Sequence, residues 1–160
     1  MTSKILVSLY GLNAFVVREN LDGVTHEESL RSAGKGGNCI NWVMAHIVAT
    51  RSGVLRLAGE EPVGPDDAMR RYTRGSAPLR NGEEAIPLDR LCADFGLSQV
   101  KLMEALVRLS DEDLASKGMK GGIGGESIGE QLAGLAFHEA YHAGQLGILR
   151  RLAGREGAIP

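Results

Sequence analysis

Four long stretches of this chain repeat their apolar residues at the three- and four-residue spacing of an α-helix, and none alternates apolar and polar residues as a half-buried strand does. That contrast restricts the chain to packing helix on helix. The first stretch runs from about Ser3 to Asn20, with Ile5, Leu9, Leu12 and Val16 on one face and Leu6, Tyr10, Asn13 and Val17 beside them. Asp22-Gly23 ends it. The second follows "GKGG", takes Asn38 as its expected N-cap and reaches about Leu57 before Gly59. The third spans about Leu88 to Leu109, with Leu88, Leu91/Cys92, Phe95, Leu102, Leu106 and Leu109 as its seam. The fourth follows Ser127, which forms a capping-box pattern with Glu130, and runs to Gly154.

The connectors set the order of these helices. Thr25-His26-Glu27-Glu28 is a capping-box pattern for a short helix that stops by Gly34, with His26 exposed in its first turn. Residues 58–87 hold four of the five prolines and are expected to be mostly loop, with one short helix near Asp66 to Arg74. A connection this long can carry the chain along a whole bundle, so that helices two and three run parallel. Ser110-Asp111-Glu112-Asp113 starts a short turn, and "SKGMKGGIGGE" reads as a flexible connector, because it matches neither glycine-rich phosphate-binding pattern and no strand precedes it. The expected fold is all-α: a single domain over residues 1–160, a four-helix bundle with a long crossover between helices two and three. Helix two carries Cys39, Trp42, Val43, His46, Thr50 and Leu57 on one face and Met44, Val48 and Leu55 on the other, interrupted by Asn41 and Arg51. Apolar residues on both faces predict burial on two sides, and hence a subunit interface.

Composition removes several functions. A net charge of −2 supplies no basic patch for nucleic acid or an anionic membrane. No run approaches the ~18 apolar residues of a spanning helix. The apolar N-terminus is followed by Arg18, Glu19 and Asp22 rather than a small-residue cleavage site, so it reads as a core helix of a cytoplasmic protein. Cys39 and Cys92 form no C-x-x-C pair and are expected as buried free thiols. With only 4% aromatic residues, the core must be built from Leu, Val, Ile and Ala.

The chemistry concentrates in "AFHEAYHAGQLGILRR", residues 136–151. His138 and His142 lie one turn apart in height and about 40° apart around the helix. Leu135, Leu146 and Leu149 share their arc, and Gln131 and Gln145 flank His138, so both rings are expected to face the bundle interior. Two buried imidazoles need two sets of hydrogen-bond partners, or one metal ion that serves both. His46, on the second long helix, is the third candidate ligand, since bundle sites are built from facing helices. Three histidines leave positions open for water or substrate. Zinc, nickel, iron(II) and manganese all suit imidazole. Cys39 lies two turns from His46, about 10 Å along the axis, which makes it a poor fourth ligand.

The string His138-Glu139-Ala140-Tyr141-His142 also reads H-E-x-x-H, the zinc-peptidase signature. The longer peptidase form needs Gly and His further on, where this chain has Gln145 and Ile148. Glu139 has two readings: a catalytic base reaching a metal-bound ligand, or a hydrogen-bonding partner to a neighbouring helix or subunit. Gln131 and Gln145 are candidates to orient histidines or substrate, and Tyr10, Asn13 and Gln99 to line the cavity. Arg150 and Arg151 fit service at a helix C-terminus.

"LAFHEAYHAGQLGILRR" resembles the last-helix motif of the DinB-like metalloprotein superfamily, and "GGNCINWVMAHIVATR" resembles its second-helix motif. The order also agrees: one histidine on helix two, a long crossover, then His-x-x-x-His on helix four. The resemblance implies an up-down-down-up bundle, usually dimeric, with His46, His138 and His142 as metal ligands. Relatives include bacillithiol and other low-molecular-weight-thiol S-transferases and a mycothiol-dependent maleylpyruvate isomerase. The expected function is therefore a metal-dependent enzyme, a thiol S-transferase or hydrolase, acting on a small molecule. A non-catalytic, metal-stapled, stress-related binding protein is the alternative, and a zincin-like peptidase the third reading.

Overall fold

The computed structural model describes residues 2–32, 34, 36–64, 69–79 and 85–159. Helix α1 is Ser3–Leu21, α2 is His26–Ser29, α3 is Ile40–Leu57, α4 is Leu88–Arg108, α5 is Asp111–Ala115 and α6 is Ile128–Leu152. A 3-10 turn occupies Arg70–Tyr72. Among the described residues there is no strand, only an isolated bridge from Lys117 to Ser127. The short helix expected near Asp66 to Arg74 falls partly on residues 65–68, outside the described ones.

Local sequence explains three of the helix starts. Thr25 with Glu28, Ser110 with Asp113 and Ser127 with Glu130 each form a reciprocal capping box, in which the side chains satisfy backbone N–H groups that the first turn leaves free. Helix α3 departs from expectation: Cys39, not Asn38, holds the N-cap position, and no side chain caps it.

Helix α1 packs against α4 and α6, and α3 packs against α4 and α6 from the opposite corner. Buried hydrogen bonds fix the directions. Tyr10 Oη donates to Leu132 O, Asn13 Nδ2 to Ala136 O and Asn20 Nδ2 to Ala143 O, so α1 and α6 advance together. Asn41 Nδ2 donates to Ile86 O, just before α4, and Arg51 Nη1 to Gln99 Oε1 within it, so α3 and α4 also advance together.

The core is divided along the bundle. One apolar cluster joins Val17, Val43, Ile47, Leu91, Phe95 and Leu146; the other joins Leu6, Leu55, Leu102, Leu106 and Leu132. Buried polar residues, among them Arg51, Gln99 and Glu139, lie outside both clusters and bond to one another.

Four expectations about burial change. On α1 the row Leu6, Tyr10, Asn13 and Val17 is the core face, while Ile5, Leu9 and Leu12 are exposed. Helix α3 is buried continuously from Ile40 to Val48, because α4, α6, α2 and the 3-10 turn surround it. Its two apolar faces are thus consumed within the chain rather than at a subunit interface. Cys39 is buried as expected, but Cys92 is exposed. His26 is half-buried rather than exposed, and its Nδ1 accepts from Leu88 N.

The glycine-rich connector is not a loose tether. The Gln131 side chain accepts from Met119 N and donates to Met119 O and Gly125 O, which clamps the loop to α6. A Cβ at Gly134 would lie 2.7 Å from Gly124 Cα, so the loop backbone rests on the helix where neither residue has a side chain. Gln131 therefore serves this loop and not the histidines.

Candidate metal centre

His46 on α3 meets His138 and His142 on α6. His46 Nε2 lies 3.3 Å from His138 Nε2, and His142 Nε2 lies 3.2 Å from the same atom. One ligand atom from each ring falls within 4.8 Å of the others. His46 is buried, and the two α6 histidines are half-buried.

Outer partners fix the tautomers. His46 Nδ1 lies 2.5 Å from the Tyr72 carbonyl oxygen, which can only accept, so this nitrogen carries the hydrogen. His142 Nδ1 donates to Gln145 Oε1 at 2.7 Å, while Gln145 Nε2 donates to Tyr141 Oη. In the neutral rings this leaves a bare lone pair on His46 Nε2 and on His142 Nε2, both aimed at His138 Nε2. His138 Nε2 can carry at most one hydrogen for those two contacts. Its Nδ1 is buried without a partner. A cation among the three Nε2 atoms satisfies every lone pair at once, so the donor set fits a metal ion of the imidazole-binding kind. Histidine N–H groups tied to carbonyl oxygens are also the usual second layer of such sites.

Burial favours the neutral form of the two α6 rings. Burial, then the neighbouring His142, His46 and Arg74, lowers the His138 pKa to about 4. Burial lowers that of His142 as well, with His46 adding to the effect and the Gln145 bond opposing it. Neutral rings are the form that ligates. The indole of Trp42 stacks on His46, centroids 5.1 Å apart and planes 18° from parallel, which holds the ring's orientation from behind.

Glu139 sits elsewhere. Its carboxylate makes a two-pronged pair with Arg51, Oε2 to Nε at 2.7 Å and Oε1 to Nη2 at 2.8 Å, and the residue is 3% exposed. That is the helix-to-helix reading of this residue, and it engages both oxygens that a base would need. The H-E-x-x-H string accordingly lacks a glutamate free to serve a peptidase.

Several other candidates resolve in the same way. Tyr10 and Asn13 bond to α6 carbonyls, and Gln99 bonds to Arg51, so all three join helices. Burial and the nearby Glu139 raise the Tyr10 pKa far above its ordinary value, which keeps its hydroxyl a donor. Cys39 is not part of the histidine cluster. Arg150 donates to Asn20 O and Asp22 O, and so serves the C-terminus of α1 as well as bonding to Glu156 O. Two contributors had no role assigned to them from sequence. Tyr72 acts through its backbone, which no side-chain pattern reveals. Trp42 was visible four residues before His46 on one helical face, and that spacing was its signal.

A bundle of long helices with three histidines converging from two of them defines a class of metal-associated helical proteins. The chain belongs to the DinB superfamily, whose family model matches residues 16–146. The crystal structure of a conserved protein from Enterococcus faecalis is similar over 96% of this chain and 98% of that one, with a TM-score of 0.72 and 14% identity. At that identity the likeness speaks for the fold. No curated protein is a significant match.

Proposed function

We propose that His46, His138 and His142 hold one divalent transition metal ion, and that the protein is an enzyme using it to activate a thiol or water against a small electrophile. One observation carries this reading: three Nε2 atoms meet where at most one hydrogen is present to satisfy two contacts. A bound ion of this kind lowers the pKa of a thiol or water beside it, so that the anion is available near neutral pH. The chain's own residues do the positioning. The Tyr72 carbonyl and the Gln145 amide hold two rings in the ligating tautomer, and Trp42 closes the inner side. Tyr141, exposed and edge-on to His142, stands at the outer side. The Arg74 charge acts on His138 and favours an anion at the same mouth. The nucleophile in this proposal is a low-molecular-weight thiol or water, and the metal is zinc, nickel, iron or manganese. Metal-stripped protein is expected to be inactive with thiol plus an electrophilic aryl halide and with activated esters, and to gain turnover when one equivalent of metal is returned. Failure with all four metals contradicts the enzymatic reading.

A second reading rests on the ligands coming from both α3 and α6: the ion staples two helices and does no chemistry. It predicts a large loss of melting temperature on chelation and no turnover. Two free cysteines among the described residues suit a reducing, cytoplasmic location, and no described helix is long and apolar enough to cross a membrane.

We also place a second copy of the chain on the outer face of α1 and α6, making a homodimer. Ile5, Leu12 and Phe15 of α1 and Phe137, Tyr141 and Ile148 of α6 are each more than half exposed. A groove of about 350 Å³ between the two helices is lined by Val16, Asn20, Gly144, Gly147 and Ile148. Exposed apolar residues gathered along one helix pair mark an association surface. Leu12→Lys is expected to turn a dimer into a monomer in sedimentation equilibrium with the helical content unchanged. A parent that sediments as a monomer contradicts the placement.

A further inference from the structure

The ion pair Arg51–Glu139 is the largest buried polar feature that the proposed chemistry leaves unused. Arg51 is fully buried and Glu139 nearly so. The guanidinium uses Nε and Nη2 on Glu139 of α6 and Nη1 on Gln99 of α4. Its carbon lies 4.3 Å from the Phe95 ring centre and 5.6 Å from that of Tyr10 on α1. One side chain thus touches all three of the other long helices. It lies between the two apolar clusters, which by themselves tolerate sliding, since apolar contact is not directional.

We infer that the Arg51–Glu139 pair positions the histidine cluster by fixing the register of α3 against α6. The sequence places each partner close to a histidine. Arg51 follows His46 on α3, and Glu139 directly follows His138 on α6. A slip of one residue moves a helix by about 1.5 Å, whereas metal–nitrogen distances hold to about ±0.2 Å. A two-pronged guanidinium–carboxylate bond is directional enough to resist such a slip. Buried ion pairs are weak contributors to stability, and their best-attested use is to select one register. Arg51 and Glu139 are positioning residues in this role, because neither belongs to the histidine cluster.

The inference rests on the metal reading of the histidines, and the test separates the two. The parent is first titrated with Co²⁺, followed by its visible absorption, and with Zn²⁺ in competition with a chromophoric chelator. A folded parent that binds neither ion removes the metal reading, and the positioning role with it. The paired variant Arg51→Met/Glu139→Leu removes both charges while keeping side-chain volume. It is expected to keep its helical circular dichroism and metal-free melting temperature, to bind Zn²⁺ at least about tenfold more weakly, in the range seen when outer partners of metal ligands are lost, and to shift the Co²⁺ bands. A folded paired variant with Zn²⁺ affinity within about twofold of the parent and an unchanged Co²⁺ spectrum overturns the positioning role alone. If the paired variant does not fold, Arg51→Lys decides. It keeps the charge but loses the fork, and altered Co²⁺ bands with weaker binding support the role, whereas parental bands and affinity overturn it.

Discussion

Glu139→Ala is expected to lower folding stability by about 3–5 kcal/mol, the usual cost of removing one partner from a buried ion pair. The cause is the charge left behind. Arg51 is fully buried, and two of its donors bond to this carboxylate. Without Glu139 the partners left to the guanidinium among the described residues are Gln99 and the ring faces. In a domain of this size each kcal/mol moves the melting temperature by roughly 2–4 °C, so a drop on the order of 10 °C should appear in a thermal melt. The surface offers a control. Arg108 and Glu60 form a pair whose arginine side chain is 60% exposed and whose carboxylate is not buried, and Arg108→Ala should cost less than about 1 kcal/mol. Equal losses in the two variants would mean that burial does not set the energetics of the Arg51 pair.

His46→Ala is expected to weaken metal binding by more than about 100-fold, because losing even an outer partner of a ligating histidine costs about 10–100-fold. His46 is the sole member of the cluster on α3, so its removal leaves two ligands on one helix and none facing them. The fold should persist, since Trp42, Val43 and Ile47 keep α3 in the core. Competition titration with Zn²⁺ gives the affinity, and circular dichroism the fold. Affinity equal to that of the parent would place the ion, if any, on α6 alone.

The long helices and the capping boxes of α2 and α6 were legible because capping and periodicity are local. Ser127 and Glu130 announce the start of α6 within four residues, and the structure realises both halves of that box. The meeting of His46 with His138 and His142 was legible for a related reason: helical spacing puts two rings on one arc, and a bundle supplies a facing helix. What stayed hidden depends on which apolar row wins the core. On α1 two neighbouring rows were both apolar, and the row with Tyr10 and Asn13 won because those side chains reach α6 carbonyls. Arg51 read as an interruption in an apolar face, yet it is among the most buried side chains, since its partners Gln99 and Glu139 lie far away in sequence. The same distance hid the fate of Glu139. Beside two histidines it looked catalytic, and only the packing of α3 on α6 shows its carboxylate held by an arginine.

The most direct test of the metal centre is a titration of chelator-treated, tag-free protein with Co²⁺, followed by its visible absorption. The account predicts saturation at one ion per chain, displacement of Co²⁺ by an equimolar amount of Zn²⁺, and loss of the spectrum in His138→Ala. A folded protein that shows no saturable Co²⁺ absorption, or one whose absorption survives in His138→Ala, would contradict it.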